Sequence, residues 1–286
     1  MKIKKLDSAL QLSNDGKLEL FFTGVGSAFG KTHYQNNVII IKGKDHLLID
    51  CGTLCPLAMY NYKSSLSLIK NVLITHSHAD HIGGMEELAL SHRYITKDRP
   101  NLVITDEYKE ILWEQSLKGG LSYGERHETL YNKSSSEKYL VFEDYFNQLK
   151  PVLIADKPRP VYEINVGSIN IKLFRTMHYP EQALSWKDSA WSTGVLIDNR
   201  ILFPSDTRFD KDLLTWMNGE YNPEVIFHDC QPYTGGVHAG IDELKTLDSS
   251  LKSKIHLCHY GDSFSSYDAK ANGFAGLAQQ GVYYQF

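Results

Sequence analysis

Four metal-capable side chains fall within six consecutive positions of this 286-residue chain: His76, His78, Asp80 and His81, in the run THSHADHIGG (75–84). The run follows a short apolar stretch, 71–75, that reads as a strand. It precedes a segment, 83–91, whose residues after Gly83 and Gly84 are good helix formers. Alternation places His76 and His78 on one side of an extended segment. Asp80 and His81 face a second point once the chain turns. Imidazole and carboxylate donors so arranged suit zinc, and the spacing is that of two neighbouring cations rather than one closed structural site.

The rest of the chain alternates apolar strand-like runs with helical patterns. Strands are predicted at 18–22, 37–41, 46–50, 71–75, 102–105, 161–164, 168–175, 191–198, 200–204, 225–229 and 254–259. A turn over 42–45 containing Gly43 makes the second and third of these a hairpin. Helices are predicted at 83–91, 106–117, 138–149, 209–217 and 241–251. Two β-rich halves, each trailed by helices, predict an α/β architecture of two packed sheets with helices outside. The 106–150 stretch, with a polar centre lacking clear periodicity, is expected as a helical insertion or arm on a single domain spanning 1–286.

Composition sets limits on partners. Hydrophobic residues make up 42% and charged residues 22%, with no apolar run near the ~18 residues of a membrane span. The formal charge of −4 does not provide the basic stripe of a nucleic-acid binder, so no membrane and no stable nucleic-acid partner are expected. The opening MKIKKLDSALQLS lacks an apolar signal region, and Cys51, Cys55, Cys230 and Cys258 are expected as reduced thiols in a cytoplasm. Lys2, Lys4 and Lys5 read as a solvated terminus. GLSYG (120–124) matches a nucleophile elbow without its strand–turn–helix context, and a glycosylation sequon occupies 132–134.

THSHADHIGG resembles the HxHxDH signature of the metallo-β-lactamase superfamily, whose fold is an αββα sandwich of two β-sheets flanked by helices. Other marks follow in order: HLLIDCG (46–52), with Asp50 supporting the metal loop; His178 in FRTMHYP; Asp206 in ILFPSDTRF; His259 in IHLCHYGDS. The resemblance implies two Zn²⁺ per chain, or Mn²⁺ or another divalent metal. One ion would be held by His76, His78 and His178, the other by Asp80, His81 and His259, with Asp206 bridging. His256 is the nearest competitor as a ligand, expected on the same strand face as His259.

Within the superfamily, GSAFGKTHYQNN, THSHADHIGGMEELA and FHDCQ are most similar to the anti-Pycsar phosphodiesterases, relatives of tRNase Z. That resemblance implies a homodimer that hydrolyses 3′,5′-cyclic mononucleotides (cyclic CMP, UMP, AMP and GMP) and thereby counters cyclic-nucleotide antiviral signalling. Asp80 would act on the attacking water. In the segment VIFHDCQPYTGGVHAGIDEL (225–244), His238 is the candidate proton donor, oriented by Asp229. His33, Tyr34 and Tyr260 are candidate base-stacking residues. A tRNase Z-like RNA endonuclease and a non-catalytic nucleotide-sequestering protein are the alternatives. Against tRNase Z, Asp229 stands where that enzyme has glutamate, and the 106–150 stretch lacks a Gly/Pro-rich exosite.

Overall fold

Strands whose two faces are both buried dominate the centre of the molecule. β2 (Glu19–Gly24), β3 (Asn37–Lys42) and β4 (Asp45–Ile49) read ELFFTG, NVIIIK and DHLLI, with no polar alternation. A strand can be apolar at consecutive positions only if something covers each side. The computed structural model describes residues 1–123 and 139–286 and shows what does so. Leu20, Phe22, Val38, Ile40, Leu47 and Ile49 face a second sheet. Phe21, Ile39, Ile41 and Leu48 face helices on the other side.

Among the described residues each sheet has eight strands. The first runs β1-β16-β2-β3-β4-β5-β6-β7, adding β1 (Lys2–Lys5), β5 (Asn71–Leu73), β6 (Asn101–Val103), β7 (Asn147–Leu149) and β16 (Val282–Gln285). The second runs β15-β14-β13-β12-β11-β10-β9-β8. Its strands are β8 (Val152–Ala155), β9 (Val161–Val166), β10 (Ile169–Arg175), β11 (Thr193–Ile197), β12 (Ile201–Ser205), β13 (Val225–Asp229), β14 (Ile255–Cys258) and β15 (Gly276–Leu277). Helices Met85–Ser91 and Asp106–Leu112 cover the outside of the first sheet through Met85, Leu88, Tyr108 and Leu112. Helices Lys211–Tyr221 and Ile241–Lys245 join the core beside the second sheet through Leu213, Leu214, Met217 and Leu244. The order helix, sheet, sheet, helix is the αββα sandwich.

The expected hairpin is present, with Lys42 opposite Asp45 in β3–β4. Several element expectations are corrected. The helix expected over 138–149 is absent from its described part, 139–149: from 142 the chain forms one helical turn, Phe142–Tyr145, and then β7, which pairs in parallel with β6. Burial of Phe142, Tyr145 and Phe146 against the helical layer decides this over local propensity. The helix expected over 241–251 is broken into Ile241–Lys245 and Ser249–Lys252. Lys2, Lys4 and Lys5 are exposed but lie in a strand, β1, hydrogen-bonded along β16. The predicted 106–150 arm has both described ends in the buried layer, through Trp113, Leu117, Leu121 and Leu140. The polar centre of that stretch, its sequon and the last glycine of GLSYG lie outside the described residues.

The topology brings strand ends together. β4, β5 and β6 are parallel in one sheet, as are β12, β13 and β14 in the other. β10 runs in the same direction as β12, since β11 is antiparallel to both. All these carboxyl ends open at one edge, where open α/β sheets place ligands. Three residues just past or at those ends hold left-handed backbone without being glycine: Asp50 (φ 62°), Ser205 (φ 58°) and His259 (φ 51°). Such conformations cost about 1–3 kcal/mol each and persist where surrounding structure imposes them.

Gly52 seats the metal-capable loop against β4. A Cβ there would lie 1.9 Å from the Asp80 carbonyl oxygen, a backbone atom that can yield only if the whole turn moves. Gly52→Ala is expected to destabilise the chain by about 1–3 kcal/mol and to lower bound metal per chain, read by thermal denaturation together with elemental analysis.

Candidate metal centre

The HxHxDH run folds as a strand exit followed by a single helical turn, Ala79–Ile82, which carries Asp80 and His81. Thr75 anchors its start: its backbone N–H and hydroxyl donate to the Asp50 carboxylate at 2.8–3.0 Å. The same carboxylate accepts from His81 Nδ1 at 2.7 Å, which turns His81 Nε2 into the site. Asn37 holds the next layer, accepting from Gly52 N–H at 3.0 Å.

Two donor clusters result. In the first, His78 Nδ1 lies 3.0 Å from His76 Nε2 and 3.1 Å from His178 Nε2. Three ring nitrogens converging in this way could hold a metal ion among them. At Zn–N distances of about 2.0–2.1 Å, tetrahedral donors stand about 3.3 Å apart. His178 donates from Nδ1 to the Val237 carbonyl at 2.7 Å, so its Nε2 presents a lone pair. Burial pulls all three imidazoles down, His178 to about 4, and keeps them in the neutral form that can bind metal.

In the second cluster, Asp80 Oδ2 lies 3.1 Å from His259 Nε2 and 3.3 Å from His81 Nε2. Asp206 Oδ2 lies 3.2 Å from both of these nitrogens, and 4.0 and 3.9 Å from His76 Nε2 and His178 Nε2. Asp206 thus stands between the clusters, and its Oδ1 is buried without a hydrogen-bond partner. Burial opposes the ionised forms of Asp80 and Asp206, yet the imidazoles facing them hold both carboxyls well below the usual range. His81 is pushed well up: burial disfavours its charge, but Asp206, Asp50 and Asp80 outweigh it. The donor types, the orphaned oxygen and the shared carboxylate fit a pair of divalent cations.

His238 flanks the centre. Its Nδ1 is 2.9 Å from Asp229 Oδ2 and 3.8 Å from Asp206 Oδ2, and its ring stacks on His259 at 4.8 Å. Burial pulls His238 down, but the Asp229 hydrogen bond and the Asp206 charge raise it to about 9. Thr207 N–H contacts Asp229 Oδ2 at 3.3 Å.

The sequence-derived metal candidates (His76, His78, Asp80, His81, His178, Asp206, His259) are therefore brought together, with Asp229 and His238 beside them. The three stacking candidates are not placed alike. Tyr260 is buried and donates its hydroxyl to the Ala278 carbonyl at 2.8 Å. His33 sits edge-on to Tyr260, and Tyr34 accepts from the Asn61 amide and meets Tyr62 edge-on. His256 is corrected: it lies three residues before His259, so alternation inverts its face. It packs 5.4 Å from the Phe227 ring, away from the centre. Sequence reasoning missed Tyr179, directly after His178, whose ring lies 4.5 Å from that of His78.

A family model described as anti-Pycsar protein Apyc1 matches residues 18–284. A protein of that name from Bacillus phage 010DV004 is 35% identical over 274 residues, 93% of this chain and 98% of the relative. Another from Paenibacillus harenae is 34% identical over 254 residues, 88% of this chain and 94% of the relative. Among solved structures, the metallo-β-lactamase fold protein YhfI from Bacillus subtilis superposes with a TM-score of 0.67 at 11% identity, covering 94% of this chain and 100% of that one.

Asp50 touches no cation position but fixes the tautomer of His81. Asp50→Asn is expected to weaken metal binding about 10- to 100-fold, measured by competition with a chromogenic chelator.

Proposed function

The chain belongs to the anti-Pycsar Apyc1 family, and from that premise we propose that it is a metal-dependent phosphodiesterase opening 3′,5′-cyclic mononucleotides to linear nucleoside monophosphates. The observation that carries this reading is the shared carboxylate: Asp206 sits between two donor clusters, with a histidine–carboxylate pair at their flank. His76, His78 and His178 would hold one cation, and Asp80, His81 and His259 the other, with Asp206 bridging. Zinc is the metal proposed, with manganese or another divalent ion able to take the same donors. Bound cations would supply Lewis acidity toward the phosphoryl group and acidify water.

The chain's own residues do the rest. Asp80 orients the attacking water and accepts its proton. As water oxygen adds to phosphorus, the bond from phosphorus to one ribose oxygen breaks, and that oxygen needs a proton. His238 has its Nδ1 committed to Asp229, so Nε2 carries the proton to be delivered. The hydrogen bond to the Asp229 carboxylate favours the protonated ring.

The functional unit is proposed to be a homodimer, the commonest closed symmetry, acting in the cytoplasm of the host or producing bacterium, where cyclic nucleotide signals would be met. No helix among the described residues is long and apolar enough to cross a membrane.

Incubation of the metal-loaded protein with cyclic CMP, UMP, AMP and GMP is expected to yield linear monophosphates; processed precursor tRNA with intact cyclic nucleotides would instead make it an RNA nuclease. Asp80→Ala is expected to abolish turnover. His238→Ala is expected to lower kcat about 10²–10⁴-fold with metal content retained. The acid form of His238 is favoured by its hydrogen bond to Asp229 and is lost as pH rises, so kcat/KM should fall on the basic side of the profile. Asp229→Asn removes the carboxylate that raises the His238 pKa and should move the basic limb of the pH profile toward neutrality; an unmoved limb excludes His238 as the donor.

A further inference from the structure

An enzyme that accepts different nucleobases needs a contact common to all of them, and an aromatic face is such a contact. Among the described residues, the aromatic candidates near the centre can be sorted by what already occupies them. Tyr260 is buried, with its hydroxyl satisfied. Tyr34 is tied to Asn61 and Tyr62. Trp191 carries the Arg175 guanidinium over its ring at 4.7 Å and lies parallel to Tyr108 at 5.8 Å.

Tyr179 differs from all of these. Its ring lies 4.5 Å from His78, tilted by 30°, and 5.1 and 6.1 Å from His178 and His76. These three imidazoles are its only aromatic partners among the described residues, and it is partly exposed. Its hydroxyl has no hydrogen-bond partner there. The ring therefore covers the first donor cluster and leaves surface at the mouth.

Its backbone is fixed in advance. Ala190 N–H donates to the Tyr179 carbonyl at 2.7 Å. Arg175 Nη2 holds the Ser189 and Ala190 carbonyls at 3.1 and 3.0 Å. On the other side of His178, Arg208 N–H donates to the Met177 carbonyl at 2.7 Å. An aromatic ring held in this way loses little freedom on binding.

We propose that Tyr179 is the nucleobase-stacking residue of the site, an assignment that rests on the phosphodiesterase reading above. The phosphate would sit at the donor clusters, with the base against the Tyr179 ring that packs on His78. The contact uses the π-face and not the hydroxyl. It therefore tolerates every base and favours the larger purines.

The test is steady-state hydrolysis of cyclic CMP and cyclic AMP by the metal-loaded chain and by Tyr179→Ala, Tyr179→Phe and Tyr179→Trp, with metal content measured on each. Tyr179→Ala is expected to raise KM about 5- to 100-fold, more for cyclic AMP than for cyclic CMP. Its kcat should change no more than about threefold, with metal content at the wild-type level. Phe and Trp are expected to rescue KM. A Phe variant as impaired as Ala assigns the role to the hydroxyl and overturns the proposal. Metal loss or a fall in kcat without a KM effect makes Tyr179 a packing partner of His78, which also overturns it. A wild-type chain inert toward all cyclic mononucleotides removes the function reading and this assignment together. An active wild type with an unchanged Ala variant removes only the assignment.

Discussion

Four carboxylates are buried around one point in this fold: Asp50, Asp80, Asp206 and Asp229. Removing ionised carboxylates from water is costly unless positive charge faces them. In most interiors a lysine or arginine would do so. Among the described residues, the basic side-chain nitrogens within 4.0 Å of these four carboxylates belong to imidazoles, namely those of His76, His81, His178, His228, His238 and His259. Protons on His81 and His238 compensate part of the charge, and both groups are raised for that reason. His76, His78 and His178 are driven the other way, to neutrality. A region with excess negative charge beside three neutral nitrogen donors is electrostatically suited to divalent cations.

The scaffold meets this electrostatic demand by geometry. Each donor follows the carboxyl end of a strand, and strands from both sheets end at the same edge, so neither sheet alone carries the centre. His76 and His78 follow β5, His178 follows β10, Asp206 follows β12 and His259 follows β14. The left-handed residues Asp50, Ser205 and His259 turn the chain abruptly at the ends of β4, β12 and β14. The inter-sheet packing of Phe22, Phe203 and Phe227 lies behind them. Backbone strain is tolerated where burial of this kind opposes relaxation.

How much of this could be read from the chain follows from sequence separation. The HxHxDH loop was legible because its donors are local: alternation and one turn suffice to aim them. His178, Asp206 and His259 were legible only through resemblance, since nothing in a strand-end histidine says which other strand end it meets. Asp229 and His238 are nine apart and joined by a 2.9 Å hydrogen bond that spacing does not imply. The doubly covered strands were visible as unbroken apolar runs. β16 was not, because VYYQ near the terminus is short and half polar, yet it lies between β1 and β2. The helix expected over 138–149 failed because aromatic burial and pairing with β6 outweigh helical propensity. Tyr179 was overlooked although it adjoins His178: tyrosine is abundant here, with 17 in the chain, and only tertiary structure separates a covered ring from an open one.

Charge also connects the centre to the kind of molecule it is proposed to handle. The four buried carboxylates contribute four negative charges, and two divalent cations would contribute four positive ones. One proton on His238 then leaves a single surplus positive charge beside the clusters. A cyclic phosphodiester carries one negative charge and would complete the balance. In the proposed step the proton gained by Asp80 replaces the one given up by His238, so the charge of the site is the same before and after the phosphorus–oxygen bond breaks. The need for positive charge around the buried carboxylates therefore ties the proposed centre to an anionic phosphodiester before any base-reading contact is considered.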